Sequence, residues 1–407
     1  VGMGPFELMN ITGVPISLHA ANSLGDQLGD FYYPGQALID FCSTKNTNWD
    51  LEGEVDESKY ELIADRLLGV TFYVASQLVE ENVASVAETD IGARVGLRWP
   101  KGPFELLNQI GLEKSATLAK ESIKPFDLDI PKILNEKSSK STRVENISSH
   151  VAGEAYELIF LRPDTMNALD PNSMMELDGK LTAAKLSQKP IILKGTGKAF
   201  VAGADIKFFV DALNNNNYPL IDKFAAHGQK LFALLAENDA PSVCRAHGLC
   251  LGGGAELALS ADWIVASPKM VIGFPETSIG IFPGLGGTQR LPRRIGIPLA
   301  KYLLYSGQLL NAKAALEIGL VDAISPFNKL DEECFNFAQR TEYLNKKSEE
   351  IVPHQNWLDI WHFFENYTVD QIISGEADAM ANPLIEKAIT KMKQKSYHAL
   401  KLCESLI

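Results

Sequence analysis

Two acidic residues, each close to glycines, are the strongest candidates for chemistry in this sequence. Glu256 follows three consecutive glycines at 252–254, and Glu276 lies twenty residues further on, directly after Pro275. Glycine adopts backbone conformations that other residues avoid, so a ligand can approach the main chain closely there. Free N–H groups at the start of a helix suit an anion or a developing oxyanion, and paired carboxylates can move protons. The pattern predicts general acid–base chemistry on an ester or thioester carbonyl.

A purely structural interpretation of the same spacing stays open from the residues alone. Three glycines also allow a helix to pack closely on a sheet, and a glutamate in the first helical turn complements the helix dipole. Glu276 follows a turn-forming proline, and a glutamate at such a position is typically a solvated turn residue. Two further glycine-rich segments, at 203–205 and 283–290, need explanation. None of the three has the spacing of a dinucleotide fingerprint, a P-loop or a serine hydrolase elbow.

The elements that must position these groups belong to the part of the chain beyond about residue 143. Three short apolar runs, each bounded by polar or glycine-rich turns, predict strands at 156–161, 190–194 and 242–246. Helical stretches are predicted between them, at about 171–187 and 219–238. This alternation predicts an α/β architecture. The tail, from about 326 to 407, is predicted to be helical and charged.

The first 130 residues or so have a different pattern, which is mostly that of α-helices. The segment 4–13 recurs as 102–111, at an offset of 98 residues, with seven of ten positions identical. A repeat at that distance predicts two copies of one helical unit. Between the copies, a capping box starting at Ser58 predicts a helix that runs to about Asn82, and another helix is predicted from about Val86.

The polar segment 132–142 is predicted to be a linker. The predicted organisation is therefore multidomain. An all-α domain at 1–131 is followed by the linker at 132–142 and by an α/β domain with a helical tail at 143–407.

Composition and charge exclude several classes of function. The 407 residues are 46% apolar and 22% charged, which is typical of a globular protein, and the net charge of −13 disfavours binding to nucleic acid or to an anionic membrane. The sequence contains no long uncharged apolar window that would predict a membrane span, and no signal peptide is recognisable. The five cysteines contain no C-x-x-C pair and indicate a reducing, cytoplasmic location. The histidines have no metal-ligand spacing, so no metal is expected.

The chain resembles the crotonase superfamily, and specifically the enoyl-CoA hydratases, over about residues 145–325. Five ordered groups of residues carry the resemblance at the family's spacing: Arg162-Pro163 with Asn167-Ala168-Leu169, the segment 199–207, the segment 248–258, Phe274-Pro275-Glu276 with Gly280, and the segment 283–291. The resemblance implies a spiral of ββα units with acyl-CoA bound between them.

The resemblance also implies roles for particular residues. The oxyanion N–H donors fall on Ala204 and Gly253, and the catalytic glutamates on Glu256 and Glu276. Further substrate-binding residues are expected in the same motifs: Asp205, Ile206, Lys207 and Gly284. By this analogy Glu256 activates water and Glu276 handles the proton at C2, although the two carboxylates could equally share one proton.

The implied activity is that of a hydro-lyase of fatty acid β-oxidation. It adds water reversibly to a 2-enoyl-CoA and gives a 3-hydroxyacyl-CoA. No cofactor and no metal are expected for hydration, because CoA is part of the substrate. The expected partner is the acyl-CoA thioester, with no nucleic acid and no membrane, and a homo-oligomer is compatible with the resemblance.

The N-terminal part is similar to the C-terminal helical domain of 3-hydroxyacyl-CoA dehydrogenases, present as a tandem pair. The similarity rests on residues 3–13, Gly96 and residues 100–111. The chain therefore resembles a fragment of a bifunctional dehydrogenase–hydratase. NAD belongs to the dehydrogenase's nucleotide-binding domain, which these residues do not contain, so dehydrogenase activity is not expected here.

Two other functions remain open from the sequence. One is a different crotonase-type activity, such as an enoyl-CoA isomerase, but the presence of both glutamates favours hydration. The other is an inactive fragment that binds acyl-CoA or serves assembly.

Overall fold

The structure is a computed structural model that describes residues 4–44, 48–53, 56–135, 142, 144–340, 353–379 and 381–407. The chain divides into two compact units, Val1–Val144 and Glu145–Ile407. Most of the predicted linker, residues 136–141, lies outside the described residues. Of its described part, Leu134 is buried in the core of the first unit. The predicted boundaries at 131 and 143 therefore stay predictions.

The first unit is helical in its described residues, as the sequence predicts. Its α-helices are α1 (Pro5–Thr12), α2 (Val14–Leu28), α3 (Gln36–Ser43), α4 (Tyr60–Glu80), α5 (Val86–Ile91), α6 (Pro103–Ile110) and α7 (Leu112–Ile123). Its core contains Phe72 and Tyr73 of α4, Phe104 and Leu107 of α6, and Leu118 of α7. The unit is thus organised around the long helix α4.

The predicted capping box before α4 is wrong, although the helix itself is confirmed. The side chain that caps this region belongs to Asp56, which accepts a hydrogen bond from the N–H of Ser58 at 3.2 Å. This bond caps a short 3-10 turn, Glu57–Lys59, which precedes α4, so no side chain caps α4 itself. The helix ends within two residues of the predicted Asn82.

The two copies of the sequence repeat have the same local structure but different packing. Each begins with proline after a glycine and ends at a glycine with a positive φ, which is 99° at Gly13 and 97° at Gly111, before the next helix starts. Phe104 of the second copy is fully buried, whereas its counterpart Phe6 is 50% exposed. The buried carboxylate of Asp90 accepts hydrogen bonds from two N–H groups at the start of the second copy. Local sequence therefore sets the helix–glycine–helix geometry, and neighbouring elements set the burial.

One helical segment among the described residues, Glu57–Glu80, is long and apolar enough to cross a membrane by length and composition alone. Within its most apolar window, 28% is buried. A single helix of this kind is weak evidence, because core helices of soluble proteins have the same properties. The absence of a membrane partner therefore stays a prediction.

The second unit is built from two sheets and the helices around them. Its strands are β1 (Ile147–Ala152), β2 (Ala155–Phe160), β3 (Ile191–Gly195), β4 (Ala199–Ala202), β5 (Ser242–Ala246), β6 (Leu249–Leu251), β7 (Trp263–Ala266), β8 (Val271–Gly273), β9 (Leu310–Asn311) and β10 (Ala323–Ile324). Its helices are α8 (Pro171–Ser187), α9 (Ile206–Asn214), α10 (Tyr218–Ala236), α11 (Gly253–Ala258), α12 (Gly287–Ile295), α13 (Ile297–Ser306), α14 (Ala312–Glu317), α15 (Leu330–Ala338), α16 (Leu358–Asn366), α17 (Val369–Ser374), α18 (Pro383–Met392) and α19 (Tyr397–Leu406).

From β3 to β8 the strands alternate between the sheets along the chain, which gives the unit a spiral topology. The first sheet has the order β1-β2-β3-β5-β7-β10, and the second has the order β4-β6-β8-β9. The pairs β3–β4, β5–β6 and β7–β8 each contribute one strand to each sheet, and a helical connection follows each pair. Strands β3, β5 and β7 are parallel neighbours, as are β4, β6 and β8. The expected ββα spiral is confirmed.

The three strands and two helices predicted in this unit are confirmed to within two residues, and α8 has the predicted bounds. Strand β1 was not predicted. This strand pairs antiparallel with β2. Its polar residues Ser148, Ser149 and His150 interrupt the apolar pattern by which the other strands were predicted. The tail contains α15 to α19 in its described residues, which agrees with the predicted helical tail.

Candidate active site

The candidate site lies where three parallel strands of the second sheet end. Ala204 follows β4, Gly253 follows β6, and Glu276 follows β8. Because the order of these strands is β4-β6-β8 and all three run in parallel, their carboxyl ends share one edge of the sheet. The topology therefore brings together residues separated by about fifty and twenty positions in the chain.

The main chain at Gly253 lies close to the amide nitrogen of Ala204. A Cβ added at Gly253 would lie 3.7 Å from the amide nitrogen of Ala204. The residues flanking Ala204 are held in place, because Leu169 N–H donates to the carbonyl of Gly203 at 2.9 Å and Asp205 N–H donates to the carbonyl of Leu169 at 2.8 Å. Neither the Ala204 amide nor the Gly253 amide donates a hydrogen bond within the described part of the chain. Two such amides can bind a carbonyl oxygen that gains negative charge.

The glycines before Glu256 serve both close packing and access to the main chain. Gly254 has no room for a side chain, because an added Cβ would overlap the carbonyl oxygen of Val201 in β4. Gly252 has a φ of 50°, and a Cβ there would lie 2.8 Å from Oε1 of Glu276. The packing interpretation is therefore correct for Gly254, while Gly252 leaves space for the second carboxylate.

Glu256 is held by two amides from a distant turn. The side chain is buried, and its Oε1 accepts hydrogen bonds from the N–H groups of Leu285 at 2.7 Å and Gly287 at 2.8 Å. Burial raises the pKa of Glu256 to about 7, although the two amides and the guanidinium of Arg290 favour the charged form. Glu256 can therefore gain or lose a proton near neutral pH.

Glu276 has a different environment. Its Oε2 is buried and has no hydrogen-bond partner among the described residues. Burial raises the pKa of Glu276 well above its ordinary value, and the nearby charge of Glu256 raises it further. Both effects favour the protonated form of Glu276. Two carboxyl groups whose surroundings separate their pKa values can act as a base and an acid.

The other residues predicted to bind substrate do not join this buried group. The carboxylate of Asp205 caps α9 by accepting a hydrogen bond from Lys207 N–H at 2.9 Å. The side chains of Ile206 and Lys207 are exposed in the first turn of that helix. The carbonyl of Gly284 accepts a hydrogen bond from Nε2 of Gln229 at 2.7 Å. Their contribution to substrate binding stays a prediction.

Sequence reasoning did not assign the residues that hold Glu256. Leu285 and Gly287 belong to the third glycine-rich segment, and Gly287 begins α12. Glycines before a helix were the available signal for free amides at that place. Nothing in the spacing indicated that these amides bind Glu256, which lies about thirty residues earlier, rather than a ligand.

Asn167 is a second residue whose role the sequence did not assign. It is buried, and its Oδ1 accepts a hydrogen bond from the N–H of Arg162 at 2.9 Å. Its Nδ2 lies 2.9 to 3.0 Å from the carbonyl oxygens of Thr196, Ala199 and Phe200. One amide side chain thus fixes the loop that continues to Leu169 against the start of β4.

We expect Asn167→Ala to loosen this loop and to lower activity with it. The substitution leaves several buried carbonyl groups unsatisfied and puts alanine at a φ of 58°, which together cost about 3 kcal/mol. Hydrogen–deuterium exchange of the peptide containing residues 162–170 measures this directly. Asn366→Ala is the matched control, because that exposed amide makes a hydrogen bond within its own helix. Equal protection in both variants would contradict the assigned role.

Two family models match different parts of the chain. Residues 156–407 match the model described as enoyl-CoA hydratase/isomerase. Residues 62–142 match the C-terminal domain of 3-hydroxyacyl-CoA dehydrogenase. The first match contains the candidate site, and the second contains the second copy of the repeat but not the first.

Individual proteins are similar to part of this chain. Crotonyl-CoA hydratase from Syntrophomonas wolfei subsp. wolfei is 38% identical over 199 residues, which are 48% of this chain and 75% of that protein. Short-chain-enoyl-CoA hydratase from Clostridium acetobutylicum is 36% identical over 184 residues, which are 44% of this chain and 69% of that protein. The crystal structure of a carnitinyl-CoA dehydratase from Mycobacterium thermoresistibile has a TM-score of 0.56 at 22% identity and covers 64% of this chain and 79% of that one. At that identity the structural likeness shows a shared fold alone.

Proposed function

The chain belongs to the enoyl-CoA hydratase/isomerase family, and on that premise we propose that its second unit adds water to 2-enoyl-CoA thioesters. The product is the 3-hydroxyacyl-CoA. One observation carries the proposal, namely that two amides with no acceptor among the described residues and two carboxyl groups in different environments lie around the ends of β4, β6 and β8. Hydration needs both kinds of group, because charge develops on the thioester oxygen while two protons move.

The amides of Ala204 and Gly253 bind the thioester carbonyl in this proposal. When water adds at C3, the electron pair of the double bond moves towards the thioester oxygen and makes it more negative. Each N–H aimed at that oxygen stabilises the transition state by about 3 kcal/mol. The supporting observation is the hydrogen-bonded backbone on either side of Ala204, which fixes the direction of its N–H.

Glu256 and Glu276 divide the proton transfers. Ionised Glu256 takes a proton from the water that attacks C3, because its Oε1 is occupied by two amides and its Oε2 is left for water. Protonated Glu276 delivers its proton to C2. The charge on Glu256 helps to keep the proton on Glu276, so each group supports the state that the other needs. Atoms balance, since one water is added across the double bond.

The helical unit gives a context for this reaction. Water addition transfers no electrons, so the hydratase family needs no cofactor. The product, a 3-hydroxyacyl-CoA, is the substrate class named by the dehydrogenase family that residues 62–142 match. We infer that the site works beside a dehydrogenase activity which uses NAD and resides in a nucleotide-binding domain outside these residues. A cytoplasmic location and a homo-oligomeric assembly are part of the same proposal.

The direct test is hydration of a short 2-enoyl-CoA by the full chain, compared with conversion of the matching 3-enoyl-CoA. We expect rapid loss of the absorbance of the conjugated thioester with the first substrate and slower turnover of the second. Faster isomerisation than hydration would instead assign an isomerase. Tight binding of both thioesters without turnover would identify an acyl-CoA-binding unit that is not an enzyme.

The rate of hydration is expected to have a bell-shaped pH dependence. Below about pH 7 the rate falls, because protonated Glu256 cannot accept a proton from water. At higher pH it falls again, because Glu276 loses the proton that it must deliver, and its raised pKa places this limb on the alkaline side. The pH profile of kcat/KM reports both limbs. A rate that rises continuously with pH would contradict the acid role of Glu276.

A further inference from the structure

A tight turn before α12 determines where the Glu256 carboxylate lies. The amides of Leu285 and Gly287 converge on the same oxygen, Oε1, at 2.7 and 2.8 Å. The residue between them, Gly286, has a φ of 109°, a conformation that favours glycine. If this turn changed shape, the two donors would no longer meet at one oxygen.

Arg290, one turn into α12, supports this turn from its other side. Its Nη1 donates a hydrogen bond to the carbonyl of Leu285 at 3.1 Å. The guanidinium also occupies the space beside Gly286, where an added Cβ would overlap Nη1. On the opposite side, a Cβ at Gly287 would lie 3.0 Å from Oε1 of Glu256. The turn is thus enclosed between the carboxylate and the guanidinium.

If Arg290 only stabilised this turn, burial of its guanidinium would cost free energy with little gain in stability. Arg290 is partly buried, and burial lowers its pKa. Within the described part of the chain it forms no ion pair with a carboxylate at salt-bridge distance. A partly buried cation that bonds to a carbonyl loses hydration without a close counterion. Its favourable charge interaction is instead the longer-range one with Glu256.

We propose that Arg290 is a positioning residue for hydration, which holds the 285–287 turn against Glu256 and keeps that carboxylate ionised for attack by water. The inference rests on the proposed function, since it assigns Arg290 a part in that reaction. Arg290 contacts the turn and need not contact substrate.

Several other titratable groups interact with these two, and their contributions stay constant in the test. Glu276 faces Glu256, and Cys403 of α19 faces Glu276. Arg293 and Glu237 face Arg290. Because none of them is changed in the variants of Arg290, a shift in the pH profile reports the loss of the guanidinium.

The test compares Arg290→Gln and Arg290→Lys with the full wild-type chain, using a short 2-enoyl-CoA. For Arg290→Gln we expect kcat to fall by about 10- to 100-fold, because a displaced base is poorly aligned with its water. KM should stay within about twofold, and the acid limb of the pH profile should move to higher pH, because a nearby positive charge is lost. Arg290→Lys keeps the charge, so its acid limb should return towards that of the wild type while kcat recovers only in part.

Arg293→Gln is the matched control. It removes one positive charge from the same helix, but its exposed side chain does not contact the 285–287 turn. Its kcat and acid limb should equal those of the wild type. In a Glu256→Gln background, Arg290→Gln should have no further effect on kcat, because the carboxylate that it positions is absent.

Two results would overturn the inference while leaving the proposed function intact. One is an active wild type whose kcat and acid limb are unchanged in Arg290→Gln. The other is a kcat loss that comes with a lower melting temperature, an unmoved acid limb and no recovery in Arg290→Lys, which is what a merely structural role gives. If Arg290→Gln does not fold, Arg290→Lys decides, since wild-type kcat in that variant excludes positioning by the guanidinium. A wild type that hydrates no 2-enoyl-CoA would remove the proposed function, and with it the role of Arg290.

Discussion

Replacing Glu256 with glutamine is expected to lower kcat for hydration by about a thousandfold, since general-base catalysis contributes about 10²–10⁴. Glutamine is nearly the same shape as glutamate. Its carbonyl oxygen can accept the hydrogen bonds of Leu285 and Gly287 in the place of Oε1. Its NH₂ group then points to where the attacking water is activated and cannot take a proton. The loss should therefore appear in kcat, while KM changes little.

The measurement is steady-state hydration of a short 2-enoyl-CoA at the pH optimum of the wild type. Glu332→Gln is the matched control, because that glutamate is exposed on α15, and its rate should equal that of the wild type. Thermal melting shows whether the Glu256 variant is folded. A folded variant that keeps more than a tenth of the wild-type rate would exclude Glu256 as the base.

Replacing Glu276 with glutamine is expected to have a similarly large effect on hydration, but through the other proton. Glutamine cannot deliver a proton to C2, so kcat should fall by about a thousandfold. The two variants can be distinguished by exchange of the C2 protons of a saturated short acyl-CoA with deuterium from solvent. We expect this exchange to persist in Glu256→Gln and to disappear in Glu276→Gln. The opposite pattern would reverse the assignment of acid and base.

The Glu276 variant also has a predictable effect on stability. The pKa of this group is raised in the folded chain above its ordinary value of 4.5, so the folded state binds the proton more tightly than the unfolded state does. That contribution to stability is complete below pH 4.5 and is lost as pH rises towards the folded pKa. Glutamine has no such loss. The melting temperature of the variant, relative to that of the wild type, should therefore be higher at pH 8 than at pH 5. An equal difference at both pH values would contradict a raised pKa.

Local sequence patterns predicted several elements of the second unit, but not strands β4, β6 and β8, at whose ends the site residues lie. The periodicity of 171–187 gave the bounds of α8, and the apolar run 242–246 gave those of β5. Such patterns are reliable because they follow from the geometry of one element, in which spacing decides which side chains share a face. Strand β1 was missed because Ser148, Ser149 and His150 are polar and interrupt the apolar pattern. The capping box predicted at Ser58 was wrong because an unpredicted 3-10 turn, capped by Asp56, precedes α4.

The repeat shows which structural features the local sequence determines and which it does not. Two segments with seven identical residues in ten form the same helix–glycine–helix turn. Nevertheless Phe104 is buried and Phe6 is half exposed. The backbone geometry depends on the residues themselves, whereas burial depends on what lies beside them. In the second copy this includes Asp90, whose carboxylate binds the start of the helix.

By itself, the sequence determined which residue types are available for chemistry. It identified the glycines that free two main-chain amides and the two glutamates that follow neighbouring strands, because close approach and proton transfer each require particular residues. The tertiary structure alone decided how those groups differ. It brought the 285–287 turn and Arg290 to Glu256, and it buried Oε2 of Glu276 where none of the described residues bonds to it. The physical reason is that the proton affinity of a carboxylate depends on the charges, donors and solvent within a few ångströms, and the spiral supplies those neighbours from distant parts of the chain.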